Sequence, residues 1–219
     1  LFSVLILTIQ IPLGIAIALC IPRGKFWVGI TLAIIALPLL VPWNMIPSLW
    51  LSLLNPEIGI LGRLFPQVGW PADWKFSIPH TWAVIIAMDV WHWTSLVVIL
   101  CYSALTTIPA AHYQAAAIDS AGPWQVFRYI QLPKLYNVLL MAILLRFMDS
   151  FMIYSEAFPI NAGGPNGATM FLAVDLGEEI KAFNYGPSAA RSVIYFLIVL
   201  TVAWTFSKAQ GRLDRAEAA

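Results

Sequence analysis

Apolar residues gather in five long runs along this 219-residue chain, at about 3–20, 26–50, 80–103, 135–158 and 187–207. A helix needs roughly 20 mostly apolar residues to cross the ~30 Å hydrocarbon core of a bilayer, and each run is near that length. Within hydrocarbon every backbone N–H and C=O must find a partner inside its own segment, which favours helix. The pattern predicts an all-α, polytopic transmembrane helical bundle: one domain over 1–219, with five spans visible. The chain opens on Leu1 in mid-apolar register rather than on Met, so a sixth, upstream span is expected.

The second run holds Pro38, Pro42 and Pro47 with Asn44 among them. Proline removes a backbone donor and clashes with the preceding turn, so a straight uninterrupted helix is not expected. Broken helices at membrane depth occur where freed carbonyls face protein or a water-filled cavity. Two readings stay open: this span borders a translocation path, or it carries a packing kink near its outer end.

Between the third and fourth runs lies a polar, Ala-rich segment at about 105–133. Pro109 suits a helix start, with Thr106 and Thr107 nearby as caps. Ala110 to Ala121 favours helix, and Gly122 suits a left-handed residue just past a helix end. Pro123 can open a second helix through Trp124, Val126, Phe127 and Ile130. Ala115, Ala116 and Ala117 carry little bulk, so another surface can approach the backbone closely, while Gln114 and Asp119 offer polar contacts.

That segment, with Gln114-Ala115-Ala116, then Asp119 and Gly122, then Ile130-Gln131-Leu132-Pro133, resembles the EAA loop of ABC-importer permeases. Gln114 stands where the family has Glu, so a hydrogen bond replaces an ion pair there. The stretch from Asn55-Pro56 to Gly59, and Gly163-Gly164-Pro165 followed by Thr169, look like loops of carbohydrate-importing members of this family. Arg146 to Phe151 running into Gly163 is also similar to glycerol-importing permeases. The resemblance covers about residues 10–207. It implies a permease subunit of an ATP-driven importer in a bacterial cytoplasmic (inner) membrane. The implied partners are a second permease subunit, a dimeric cytoplasmic ATPase that uses ATP and Mg, an extracytoplasmic solute-binding protein and the bilayer. Coupling to the ATPase would run through Gln114, Ala115, Ala116, Asp119, Gly122, Ile130, Leu132 and Pro133. The binding protein would dock on outer loops at about 51–79 and 161–186. The cargo would be a sugar or small polyol.

Composition agrees with a membrane protein: 60% hydrophobic and 11% charged residues, with a mean hydropathy of +0.80. A net charge of +1 says nothing about partners, and no nucleic-acid-binding patch is present. With the C-terminus inside, Arg23, Lys25, Arg128, Lys134, Lys208, Arg212 and Arg215 are cytoplasmic, against Arg63, Lys75, Lys181 and Arg191 outside. The positive-inside rule favours that orientation. The chain has no G-x-x-x-x-G-K-[ST] phosphate loop, so nucleotide falls to another polypeptide and no cofactor is expected here. Cys20 and Cys101 read as small buried hydrophobes. His80, His92 and His112 share no ligand spacing, so no metal is expected.

Polar groups within apolar runs are costly and by default point to function. Asp89 and His92 lie three apart, flanked by Trp91 and Trp93; so do Arg146 and Asp149, followed by Phe151, Tyr154 and Glu156. Helical i,i+3 spacing lets each pair meet on one face. Arg146–Asp149 is either an internal ion pair that eases insertion or part of a solute site. In the second reading Asp89, Arg146, Asp149 and Glu156 bind hydroxyls, with Trp91, Phe151 and Tyr154 as stacking walls, and Asn44 and His92 also lie on the substrate path. Trp82 and Trp93 are expected to be interfacial anchors. An ion-coupled secondary transporter, or a membrane-embedded enzyme, could use the same carboxylates, but neither accounts for the spacing at 113–133.

Overall fold

The computed structural model describes residues 1–22, 24–71 and 73–217, and the side chains of these except Lys25 and 209–217. Arg23 and the side chains of Lys25, Arg212 and Arg215 therefore lie outside the described residues. Each apolar run becomes helix, and no strand occurs among the described residues. In chain order these are α1 (Phe2–Cys20), α2 (Lys25–Leu40), α3 (Ile46–Leu53) and α4 (Ile60–Leu64). They continue with α5 (Ile78–Thr106), α6 (Ala110–Ile118), α7 (Pro123–Val126) and α8 (Leu132–Asp149). The last are α9 (Phe158–Asn161), α10 (Leu172–Lys181) and α11 (Tyr185–Glu217).

Four helical stretches are long and apolar enough to cross a membrane: Phe2–Cys20, Ile78–Thr106, Pro123–Met152 and Tyr185–Lys208. The fifth predicted span is a broken pair, Phe26–Leu40 and Trp43–Leu53, bent by 74°. Its proline content explains the break. Residue 42 is itself proline, so the Pro38 carbonyl has no N–H four residues on. It accepts instead from Val41 N–H at 3.2 Å and from His92 Nδ1 on α5 at 2.8 Å. A carbonyl only accepts, so Nδ1 carries the proton.

Helix α5 runs through the middle of the bundle, with α1, α2 and α8 packed around it. It is 29 residues long, about 43 Å at 1.5 Å per residue. Gly14 brings α1 against it: a Cβ at Gly14 would lie 2.5 Å from Val97 Cγ1. Small residues at such crossings permit close packing where lipid offers no hydrophobic drive. The buried residues form two apolar clusters, one at each end. Phe2, Ile6, Ile46, Trp74, Ile85 and Met88 belong to the first, and Ala18, Val97, Val98, Cys101 and Leu135 to the second. Helix α11 lies outermost, tied to α10 by Arg191, which pairs with Asp175 at 2.7 Å and Glu179 at 3.1 Å.

Several sequence expectations are corrected here. The fourth span ends at Met152 rather than 158; Ile153 leaves helical geometry with ψ 86°, so Tyr154 and Glu156 lie beyond the helix. At its other end the span starts early, because the segment from Pro123 runs unbroken into α8 rather than forming a separate short helix. A π-helical turn at Phe127–Gln131, with Leu132 N–H bonded to Phe127 C=O, adds a residue just before Pro133. That turn accommodates the missing proline donor without breaking the rod. Gly122 is not left-handed: it caps the start of α7 at φ −70°, and Ser120 takes the left-handed conformation at φ 54°. Thr107 donates to Ala104 C=O at 2.8 Å and so closes α5 rather than capping α6. Cys20 is exposed, whereas Cys101 is buried as expected.

Candidate functional site

Between the two apolar clusters lies a polar layer contributed by three helices. Gln10 comes from α1, Asp89 from α5 and Arg146 from α8, with 0%, 3% and 1% of their surfaces exposed. Asp89 is eleven residues into α5, about 16 Å along its axis. Arg146 Nη2 meets Asp89 Oδ1 at 2.6 Å, and Arg146 Nε donates to Gln10 Oε1 at 3.1 Å. Gln10 Nε2 donates to the same Asp89 Oδ1 at 2.7 Å, and Arg146 Nη1 pairs with Asp149. The guanidinium stacks on the Trp93 face, 4.4 Å from the ring centre. A buried charge is tolerable only when paired and hydrogen-bonded, and Arg146 is both. This network clamps α1, α5 and α8 together at membrane depth.

Below Asp149 the end of α8 opens a cavity of about 200 Å³, lined by Trp43, Asp89, Asp149, Met152, Ile153, Ser155 and Glu156. The helix stops here partly because Ser150 turns its hydroxyl back on Phe147 C=O at 2.6 Å. Glu156 reaches the cavity from the non-helical turn that follows and is only 6% exposed.

The structure gathers Asp89, Arg146, Asp149 and Glu156 in one place and leaves the other expected members elsewhere. His92 is buried nearby but is spent on the Pro38 carbonyl of the broken span. Asn44 is exposed beside cavity-lining Trp43, in the helical turn just after the break. Trp91 turns to the far side of α5 from Asp89, 39% exposed and edge-on to Trp50 at 6.2 Å. Phe151 packs on Phe147 at 5.2 Å and lines a different cavity with Phe2 and Trp82. Tyr154 stacks on Phe158 at 5.2 Å, against Gly177 of α10. Trp82 and Trp93 are not free interfacial anchors: Trp82 donates to Ala168 C=O at 2.9 Å, and Trp93 covers Arg146. Gln10, Trp43, Trp93 and Ser155 were not foreseen. For Gln10 a signal existed, since an amide in an otherwise apolar run needs a buried partner. Among the described residues no group of three His, Cys, Asp or Glu side chains could hold a metal ion.

At the opposite end of the bundle, α6 and α7, the first turn of the Pro123–Met152 span, form an elbow. Ser120 turns the chain, Gly122 N–H donates to Gln125 Oε1 at 2.7 Å, and Pro123 opens the next helix. A groove of about 480 Å³ runs along the elbow, lined by Ala111, Ala115, Ala116, Asp119, Ala121 and Ile130 among others. Tyr129, on its wall, is 76% exposed, and Ile118 and Trp124 of the same elbow are 84% and 71% exposed. Gln114 faces the other way, into a cavity between the elbow and the ends of α1 and α5. Gly122 lies beside the groove, Leu132 packs on the apolar cluster near Leu135, and Pro133 follows the π-helical turn.

Known proteins resemble this chain in sequence and in fold. The chain is 28% identical, over 98% of its length, to the trehalose/maltose transport system permease protein MalF of Thermococcus litoralis. It is 29% identical, over 93% of its length, to the trehalose transport system permease protein SugA of Mycobacterium tuberculosis. It spans 72% and 65% of the lengths of those two proteins. The crystal structure of a bacterial ABC transporter involved in the import of the acidic polysaccharide alginate superimposes with a TM-score of 0.81. That superposition covers 96% of this chain and 76% of the other at 18% identity, a likeness of fold. Residues 10–216 match the family described as binding-protein-dependent transport system inner membrane component, and the chain belongs to that family of multi-pass membrane proteins.

Proposed function

We propose that this chain is a membrane subunit of an ATP-driven importer for a sugar or small polyol. An extracytoplasmic binding protein delivers the solute, and a second permease subunit completes the path. The ATPase is a separate cytoplasmic dimer that docks on the elbow and uses ATP and Mg there, so this chain is not itself an enzyme. The elbow and the C-terminal end of α11 face the cytoplasm, and α10 faces the opposite side.

One observation carries the reading: a groove of small side chains, with exposed Tyr129 on its wall and exposed Ile118 and Trp124 elsewhere on the same elbow, joins α6, which is not one of the apolar spans, to the start of the Pro123–Met152 helix. Contiguous exposed apolar surface in water marks an interaction site. Movement at that groove has a direct route inward. The segment Pro123–Met152 is continuous helix, with the groove at one end and Arg146 and Asp149 near the other. A partner that displaces the elbow displaces Arg146 against Asp89 on α5 and Gln10 on α1. The polar layer then has two arrangements to exchange, and the cavity beside Asp149 opens or closes with them. Solute hydroxyls would bond the Asp149 and Glu156 carboxylates, and Trp43 would supply an apolar face.

The test is purification of the tagged full-length protein from its native membrane, followed by an ATPase assay. Recovery of an ATPase and a second permease is expected. Ala116→Trp, which fills the groove without touching the spans, should lose the ATPase by at least tenfold while keeping the second permease. Isolation of this subunit alone, or undiminished ATPase recovery with Ala116→Trp, would overturn the reading.

A further inference from the structure

The charges around the cavity at the end of α8 are lopsided. Asp89, Asp149 and Glu156 line it, and no Lys, Arg or His does. Arg146, the cation that neighbours the cavity among the described residues, is 1% exposed, bonded to Gln10, Asp89 and Asp149, and capped by Trp93. Three of its five N–H groups bond inside the protein, one each to Gln10, Asp89 and Asp149, and Arg146 is not among the side chains that line the cavity. By contrast, 26% of the Asp149 side chain remains exposed. Glu156 is 94% buried by the complement of its 6% exposure, and among the described residues no other side chain bonds it. Even with Glu156 protonated, two carboxylates outnumber one guanidinium and the wall stays negative.

We infer that this cavity selects by charge: it admits hydroxyl-rich solutes that carry no negative charge and excludes anionic saccharides such as uronates and sugar phosphates. Carboxylates accept hydrogen bonds and cannot donate them, so neutral sugars, whose hydroxyls donate, suit the wall. An anion finds only the Ser155 hydroxyl and the Trp43 indole N–H as side-chain donors there, and it meets like charge in a partly desolvated space, where Coulomb repulsion is stronger than in water. The inference rests on the cavity being part of the solute path.

Labelling of a cysteine placed in the cavity tests the charge directly, without the binding protein's own preferences. In the full chain within its assembled complex, Cys20→Ser and Cys101→Ala remove the native thiols and Ser155→Cys puts one on the cavity wall. Its reaction rates are measured with a cationic trimethylammonium methanethiosulfonate and an anionic sulfonate methanethiosulfonate, each normalised to a free thiol. The normalised cation-to-anion ratio is expected to be on the order of tenfold or more, from a net unit charge several ångströms away. It should collapse towards one when Asp149→Asn and Glu156→Gln are added singly and then together. A ratio near one in the starting protein, a ratio the neutralised variants leave unchanged, or no labelling by either reagent would overturn the proposal. Absence of ATP-driven sugar uptake with the labelling ratio intact would count against the import reading instead.

Discussion

At the scale of single residues, the chain spends its intramembrane polar groups on one another. Arg146 is 1% exposed and bonds its guanidinium to Gln10, Asp89 and Asp149. Asp89→Ala strands that charge with fewer partners. Breaking a buried pair from one side costs about 3–5 kcal/mol, because an uncompensated charge remains. The thermal unfolding midpoint of the purified complex should therefore fall for Asp89→Ala, and Asp89→Leu combined with Arg146→Met should recover most of it while transport stays lost. A midpoint unchanged by Asp89→Ala would show that the pair does not hold the helices. The i,i+3 pair Arg146–Asp149 was legible in the sequence because helical spacing brings those groups together. The partners Gln10 and Trp93 lie 136 and 53 positions away, and spacing along one helix says nothing about them. His92 is similar: its neighbour is a carbonyl released by Pro42 on another helix, an acceptor no side-chain pattern displays.

Secondary elements follow from proline, glycine and apolar run length, with their ends decided elsewhere. The 74° break between Leu40 and Trp43 is what three prolines in one apolar run demand. The end of α8 at Asp149 is different, since Phe151 to Phe158 continues apolar and reads as helix. There the chain turns out to seat Glu156 in the cavity, and Ile153, Ala157 and Ile160 join the outer apolar cluster. Gly14 is an ordinary helix residue by sequence, and only packing reveals that α1 has no room for a side chain there. Gly14→Leu would drive its side chain into Val97, and overpacking of this kind costs typically 1–3 kcal/mol. A disulfide between cysteines placed across α1 and α5 should then form more slowly than in the Gly14 protein; equal rates would remove Gly14 from the crossing. At the other end of α8, the π-helical turn before Pro133 turns a potential break into a continuous lever.

Taken as a whole, the molecule joins the groove on the elbow to a polar layer through one helix. Gly122 separates folding from coupling along that lever. At φ −70° it sits where any residue can, and an added Cβ would meet only Gln125 Oε1, at 3.8 Å. Aspartate is moreover a favourable helix N-cap. Gly122→Asp should therefore insert and assemble normally, yet lose solute-stimulated ATP hydrolysis, because a carboxylate enters the docking surface beside Asp119. Normal stimulated hydrolysis in that variant would detach the elbow from coupling.

Sequence by itself determined the class of molecule, the five apolar runs, the broken second span and the elbow at 110–123. These depend on local chemistry: hydrophobic length, missing proline donors and helix-forming alanines. Tertiary structure alone decided that Trp91, Phe151 and Tyr154 leave the group around Asp89, and that Gln114 turns from the groove. It also decided that Gln10, Trp43 and Trp93 join the polar layer and its cavity. Helix rotation and depth set those placements. In a chain this apolar nearly every face can be buried, so only packing against neighbouring helices selects which side chains meet.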